Sequence, residues 1–210
     1  MNDNRFIPWD QRAARVLVRP LVRSPVTPNQ LTVATLVVAL AGAWLLAQGE
    51  AAAANWGAGL FVLARFLDHF DGELARQKKM SSRLGYYLDY LSGAMSYGVF
   101  FLCVGIGLSG GMLGPWAMVL GAAGCASAIV SMFTNLGIDK ASAEVTVAGT
   151  AGDATGYPGW AGFELEDGIY LVAPITWAGW LEYFFIPCGI GAAVYCFWTC
   201  WSLLRLRLAR

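Results

Sequence analysis

LTVATLVVALAGAWLLAQ, residues 31–48, runs without a single charged side chain. Its length approaches the ~20 apolar residues that an α-helix needs to cross a bilayer core of about 30 Å. Comparable stretches recur outward from it. Of the 210 residues, 57% are hydrophobic and only 13% charged, and the mean hydropathy is +0.53, whereas soluble domains carry about 25% charged residues. The expected fold class is therefore an all-α integral membrane protein.

Six transmembrane helices are expected, at about 31–48, 54–76, 84–108, 112–136, 166–180 and 181–204, the fifth short and interrupted by Pro174. Gly110, Gly111, Gly114 and Pro115 separate the third span from the fourth. Residues 137–165, rich in Gly, Ala, Ser and Thr, read as a long polar loop over an active site. Residues 1–27 form a separate juxtamembrane segment, in which Trp9, Val16, Leu17, Leu21 and Val22 alternate with arginines. That pattern suits an amphipathic helix lying on the membrane surface, ahead of one membrane domain at 28–210.

Charge distribution sets the orientation. Arg5 to Arg23, then Arg76 to Arg83, then Lys140, then Arg205 to Arg210 fall on one side of a six-span arrangement, and the opposite connections contain no Lys or Arg. The positive-inside rule then places both termini and the 77–83 connection in the cytoplasm. A bacterial inner membrane or other cell membrane is the expected location. The formal net charge is zero, so no basic field points to nucleic acid. The five cysteines lie in apolar stretches without CxxC spacing and read as small packed hydrophobes.

Intramembrane charges are costly, and their default reading is functional. Asp68, Asp71, Gly72, Ala75 and Arg76 stand at offsets 0, 3, 4, 7 and 8, one stripe of a helix, which Arg65 extends by a turn. On the next helix Gly85, Asp89 and Gly93 share a face at offsets 0, 4 and 8. A short connection makes the two helices antiparallel neighbours, so three carboxylates converge at the cytoplasmic boundary. Oxygen ligands without Cys or paired His favour Mg²⁺ or Mn²⁺ over zinc. Pairing with Arg65 and Arg76 alone leaves negative charge unbalanced.

These residues resemble the CDP-alcohol phosphotransferase family, whose signature is D-x2-D-G-x2-A-R-x8-G-x3-D-x3-D. Asp68, Asp71, Gly72, Ala75, Arg76, Gly85 and Asp89 match it in register, and TPNQLT at 27–32 is similar to the family's entry to its first span. The resemblance implies a cytoplasm-facing cavity in which Asp68, Asp71 and Asp89 hold the metal. Asp68, Gly72, Ala75, Arg76 and Gly85 would line the nucleotide site with Asn29 and Thr32. It implies phospholipid synthesis: an alcohol displaces CMP from CDP-diacylglycerol, with Arg76 neutralising phosphoryl charge, in a homodimer. The alternative transfer runs from a CDP-alcohol of the choline or ethanolamine type to a lipid hydroxyl.

The last signature aspartate falls on Gly93. Three readings stand: a relocated base, a catalytically silent CDP-lipid binder, or an introduced substitution. General-base assistance, typically worth about 10²–10⁴-fold, can be relocated. Glu166 and Asp167 are the candidate replacement bases, expected to reach into the gap at Gly93, although acidic residues also suit a helix's first turn without further purpose. His69 points off the stripe and reads as a headgroup or packing residue. The region 137–182 supplies Lys140 as its only cation and several carboxylates and aromatics, which suits a neutral or amine-bearing acceptor.

Overall fold

A computed structural model describes residues 9–145, 159–160 and 163–208, with side chains at 9–141 and 168–208. The chain opens with two short helices, α1 (Trp9–Leu17) and α2 (Arg19–Val22), with Pro20 in the first turn of the second. Long helices follow: α3 (Pro28–Leu46), α4 (Ala51–Lys78), α5 (Arg83–Gly107) and α6 (Pro115–Val145). A two-residue antiparallel pair, β1 (Gly159–Trp160) with β2 (Phe163–Glu164), leads into a 3₁₀ helix at Leu165–Leu171. Then come α7 (Val172–Trp177) and α8 (Leu181–Leu208).

Four of these helices, α3, α5, α6 through Ala141, and α8, are long and apolar enough to cross a bilayer. At 28 residues, α4 is about 42 Å long, but charges crowd its C-terminal half. The helix expected at 166–180 differs from expectation. Proline fits best in a helix's first turn, and the α-helical part begins at Val172, which puts Pro174 there and leaves the preceding residues in 3₁₀ geometry. The polar loop expected from Gly137 also starts later, because α6 continues to Val145. Ile138, Asp139 and Ala141 keep burying one edge of that helix. Of the rest of the expected loop, 146–158 and 161–162 lie outside the described residues.

Sequence chemistry explains the ends that matter for the site. Thr27 caps α3: its Oγ1 accepts from Gln30 N, Gln30 Oε1 accepts from Thr27 N, and Pro28 occupies the first turn. Lys79 ends α4 in the left-handed region at φ 56°, with Met80 N donating to Ala75 O. Ser82 then caps α5 through Gly85 N. The reversal from α4 to α5 is therefore tight and locally encoded.

Small residues let the long helices approach one another. A Cβ on Gly42 would stand 2.8 Å from Gly57 O, and one on Gly57 2.6 Å from Gly42 O, so α3 and α4 meet backbone to backbone. Phe61, Phe100, Phe101, Val104, Val172 and Phe185 form the buried centre, with Phe61 stacked on Phe100 at 4.2 Å. Ala14 and Val18 of the N-terminal segment bury against Phe70 and Leu74 of α4. Val16 and Leu17 stay exposed, as a helix at the membrane surface requires.

Candidate metal and nucleotide site

Asp68 and Asp71 come from α4 and Asp89 from α5, and one carboxylate oxygen of each lies within 4.8 Å of the others. Asp71 is buried, Asp68 half-buried and Asp89 exposed, which opens the group on the Asp89 side. Asp71 is held from two sides. The Thr32 hydroxyl of α3 donates to its Oδ2, and Gly72 N donates to Oδ1 at 2.5 Å. Asp68 Oδ2 takes Arg65 Nη1 at 2.5 Å, and that guanidinium also lies 5.6 Å from the Tyr97 ring centre.

Three clustered carboxylates, with Arg65 on Asp68, are an arrangement that a hard divalent ion stabilises. The donor set, all oxygen with no thiolate or imidazole, fits Mg²⁺ or Mn²⁺.

The nucleotide-side residues sort by position. A Cβ at Gly85 would be 2.9 Å from Asn29 Oδ1 and 3.2 Å from Ser82 Oγ, so glycine there lets α5 close on the start of α3. Asn29 thereby stands beside Gly85, one turn from Thr32, whose hydroxyl reaches Asp71. A Cβ at Gly72 would meet only Arg76 Nη1, at 3.7 Å, which leaves backbone open next to Asp71. Ala75 lies half-buried one turn further on. Arg76 is at the rim, 63% exposed, with Nε and Nη2 both 2.9 Å from Glu73 Oε2.

Gly93 does not leave the gap expected of it. Its missing Cβ would lie 3.0 Å from Met132 Cε and 3.2 Å from Met132 Sδ, so the thioether of α6 fills that space. The physical reason is packing: α6 lies close enough to α5 for the flexible Met132 side chain to occupy the volume that a side chain at 93 would take. The Glu166 and Asp167 side chains lie outside the described residues. His69 turns off the stripe, its Nε2 2.8 Å from Asp10 Oδ2 of α1, where Tyr170 OH also donates at 3.0 Å.

Sequence reasoning missed three side chains here. Glu73, buried within the signature, accepts from Arg76 and from Gln77 Nε2, and lies 3.9 Å from Arg15 Nε. Thr35 lies one turn from Thr32, buried, with no partner for its hydroxyl among the described residues. It borders a cavity of about 20 Å³ with Arg65, Asp68, Ser92, Ser96 and Tyr97, which has room for a single water. Asp139 of α6 is buried as well. The only sequence signal for these was polar residues spaced by three or four within apolar runs.

No curated protein sequence matches the chain. Among solved structures it is similar to phosphatidylinositol phosphate synthase of Mycobacterium tuberculosis with CDP-DAG bound, at 19% identity and TM-score 0.64 over 91% of this chain and 94% of that one. The same enzyme with manganese and citrate aligns at 18% identity and TM-score 0.65, over 91% and 88% of the two chains. Its apo form aligns at 20% and 0.56, over 89% and 95%. At such identities the likeness shows a shared fold. Residues 25–197 match the family model for CDP-alcohol phosphatidyltransferase, and the chain belongs to that family.

Proposed function

We propose that this multi-pass membrane protein transfers a phosphatidyl group from CDP-diacylglycerol to a small alcohol and releases CMP, using a divalent-cation site built from Asp68, Asp71 and Asp89. The observation that carries the reading is the convergence of those three carboxylates, from two helices, to within 4.8 Å. It is supported by the family match over 25–197 and by a similar fold that was solved with CDP-DAG bound.

Mg²⁺ or Mn²⁺ would be held by Asp68, Asp71 and Asp89; when bound, it supplies neutralisation of diphosphate charge. The chain's own residues do the rest. Thr32 and Gly72 N fix the Asp71 carboxylate. Asn29, Gly85 and Ala75 border the nucleotide, and the bare Cα of Gly72 lets a diphosphate approach the backbone. Arg76 stands at the rim to neutralise phosphoryl oxygens. The alcohol oxygen bonds to the phosphorus distal to cytidine, the bond to CMP breaks, and CMP leaves with that electron pair. The alcohol proton passes to a carboxylate base, Glu166 or Asp167. Six spans, cytoplasmic termini and a homodimer complete the proposal, and CDP-alcohol transfer to a lipid hydroxyl is the variant reaction.

One observation favours a second reading, the silent CDP-lipid binder: Met132 closes the space beside Gly93. Purified protein with radiolabelled CDP-diacylglycerol, an acceptor panel, and Mg²⁺, Mn²⁺ or EDTA separates the two. CMP release that requires the cation is the expected result. Cation-dependent CDP binding without CMP from any acceptor selects the silent binder, and no cation-dependent CDP binding removes both.

A further inference from the structure

Along α6, Ser131, Asn135 and Asp139 recur every four residues, which places them on one stripe. Each is buried, at 4%, 4% and 5% exposure, inside a helix long and apolar enough to cross a membrane. Each also carries one polar atom with no hydrogen-bond partner among the described residues: Ser131 Oγ, Asn135 Oδ1 and Asp139 Oδ1. Buried polar groups are nearly always paired, so three orphans in one row call for an explanation.

Their surroundings show what kind of partner they lack. The other oxygen of Asp139 accepts from the Tyr90 hydroxyl and, at 3.4 Å, from that of Tyr86. Asn135 Nδ2 already donates to Tyr195 OH at 2.9 Å. The two unmatched oxygens of Asn135 and Asp139 can only accept. A partner that satisfies them must bring donors, as hydroxyl and ammonium groups do.

Charge narrows the class further. Lys140 is the only Lys or Arg between Arg83 and Arg205, and its ammonium lies 4.9 Å over the Tyr87 ring. Of the basic side chains of α4, Arg65 is on Asp68, Arg76 on Glu73, and Lys78 on the carbonyls of Ser24 and Val26, while Lys79 and Arg83 are exposed at the α4–α5 reversal. The buried Asp139 carboxylate, whose second oxygen no described cation neutralises, repels a phosphate. Tyr90 directly follows Asp89 in α5, so Asp139 stands one tyrosine side chain from the backbone that carries a proposed metal ligand.

We infer that Asp139, Asn135 and Ser131, with Tyr86 and Tyr90, form the subsite for the acceptor, and that the acceptor is an unphosphorylated polyol or amino alcohol; this rests on the transferase reading above. The donor groups of the acceptor satisfy the orphan oxygens, and Asp139 sets the preference against a second phosphate.

The test uses the purified full-length protein with CDP-diacylglycerol and Mn²⁺, offering glycerol, myo-inositol, ethanolamine and serine beside the phosphorylated forms of the same alcohols. CMP release with an unphosphorylated member and not with its phosphate is expected. Asp139→Asn should raise the KM for that acceptor about ten-fold or more and leave Mn²⁺-dependent CDP affinity unchanged. Preference for a phosphorylated alcohol overturns the inference while leaving the transferase reading intact, and it does so even where the variant does not fold. An unchanged acceptor KM in both Asp139→Asn and Tyr90→Phe also overturns it. CDP binding with no CMP from any alcohol counts against both.

Discussion

Asp71 is fixed by a hydroxyl from α3 and a backbone N–H from its own helix, so its orientation is set before any ligand arrives. Asp71→Asn keeps the shape and removes the charge. Cation-dependent CMP release should fall on the order of 10²-fold or more, as when a charge-stabilising group is lost. Thr32→Val should act more mildly, weakening Mn²⁺ affinity about 10- to 100-fold as loss of a ligand's supporting hydrogen bond does. Titrating Mn²⁺ against CMP release reads both; normal turnover in folded Asp71→Asn removes the metal reading. The aspartates were legible because a period of 3.6 and a short reversal suffice to bring offsets 0, 3 and +21 together. Gly93 was not, because which neighbouring side chain fills the space beside a glycine, here Met132 of α6, is decided by tertiary packing. Asp139 escaped notice because one carboxylate near the end of an apolar run looks like a boundary, and only packing shows it buried.

At the scale of elements, α1 is tied to the bundle by polar as well as apolar contacts. Asp10 is buried, which raises its pKa, but the adjoining His69, Gln11 N–H and Tyr170 hydroxyl outweigh that and hold it at about 2. A carboxyl depressed below its unfolded value of 3.8 stabilises the fold fully above that value and loses the contribution as pH falls through about 2. Asp10→Asn should therefore lower the melting temperature at neutral pH, and the difference from the parent should shrink between about pH 4 and pH 2. Melts in detergent across that range check the sign; a difference that grows toward pH 2 contradicts it. Helix existence was readable from apolar length, and α3, α5 and α8 begin within a few residues of expectation. The 3₁₀ segment before α7 was not, since a proline marks either an interruption or a first turn, and tertiary contacts decide which.

Over the whole molecule, the exposed surface is itself apolar: Trp44, Trp56, Trp116, Phe197 and Trp201 face outward, which suits lipid rather than water. The basic residues gather at the α4–α5 reversal and both ends of the chain, and that asymmetry carries the proposed orientation. In a background with the five native cysteines replaced, Ser81→Cys should react with an impermeant thiol reagent only from the cytoplasmic side, and Gly110→Cys only from the other. Labelling of both from one side contradicts the proposed topology. The tight turn at Lys79 also bears on where in the chain the site is encoded. Asn29, Thr32, Asp68, Asp71, Asp89 and every residue bordering the small cavity precede residue 98. The proposed metal donor set is therefore encoded wholly before the α5–α6 turn, and the helices encoded later add only to its walls.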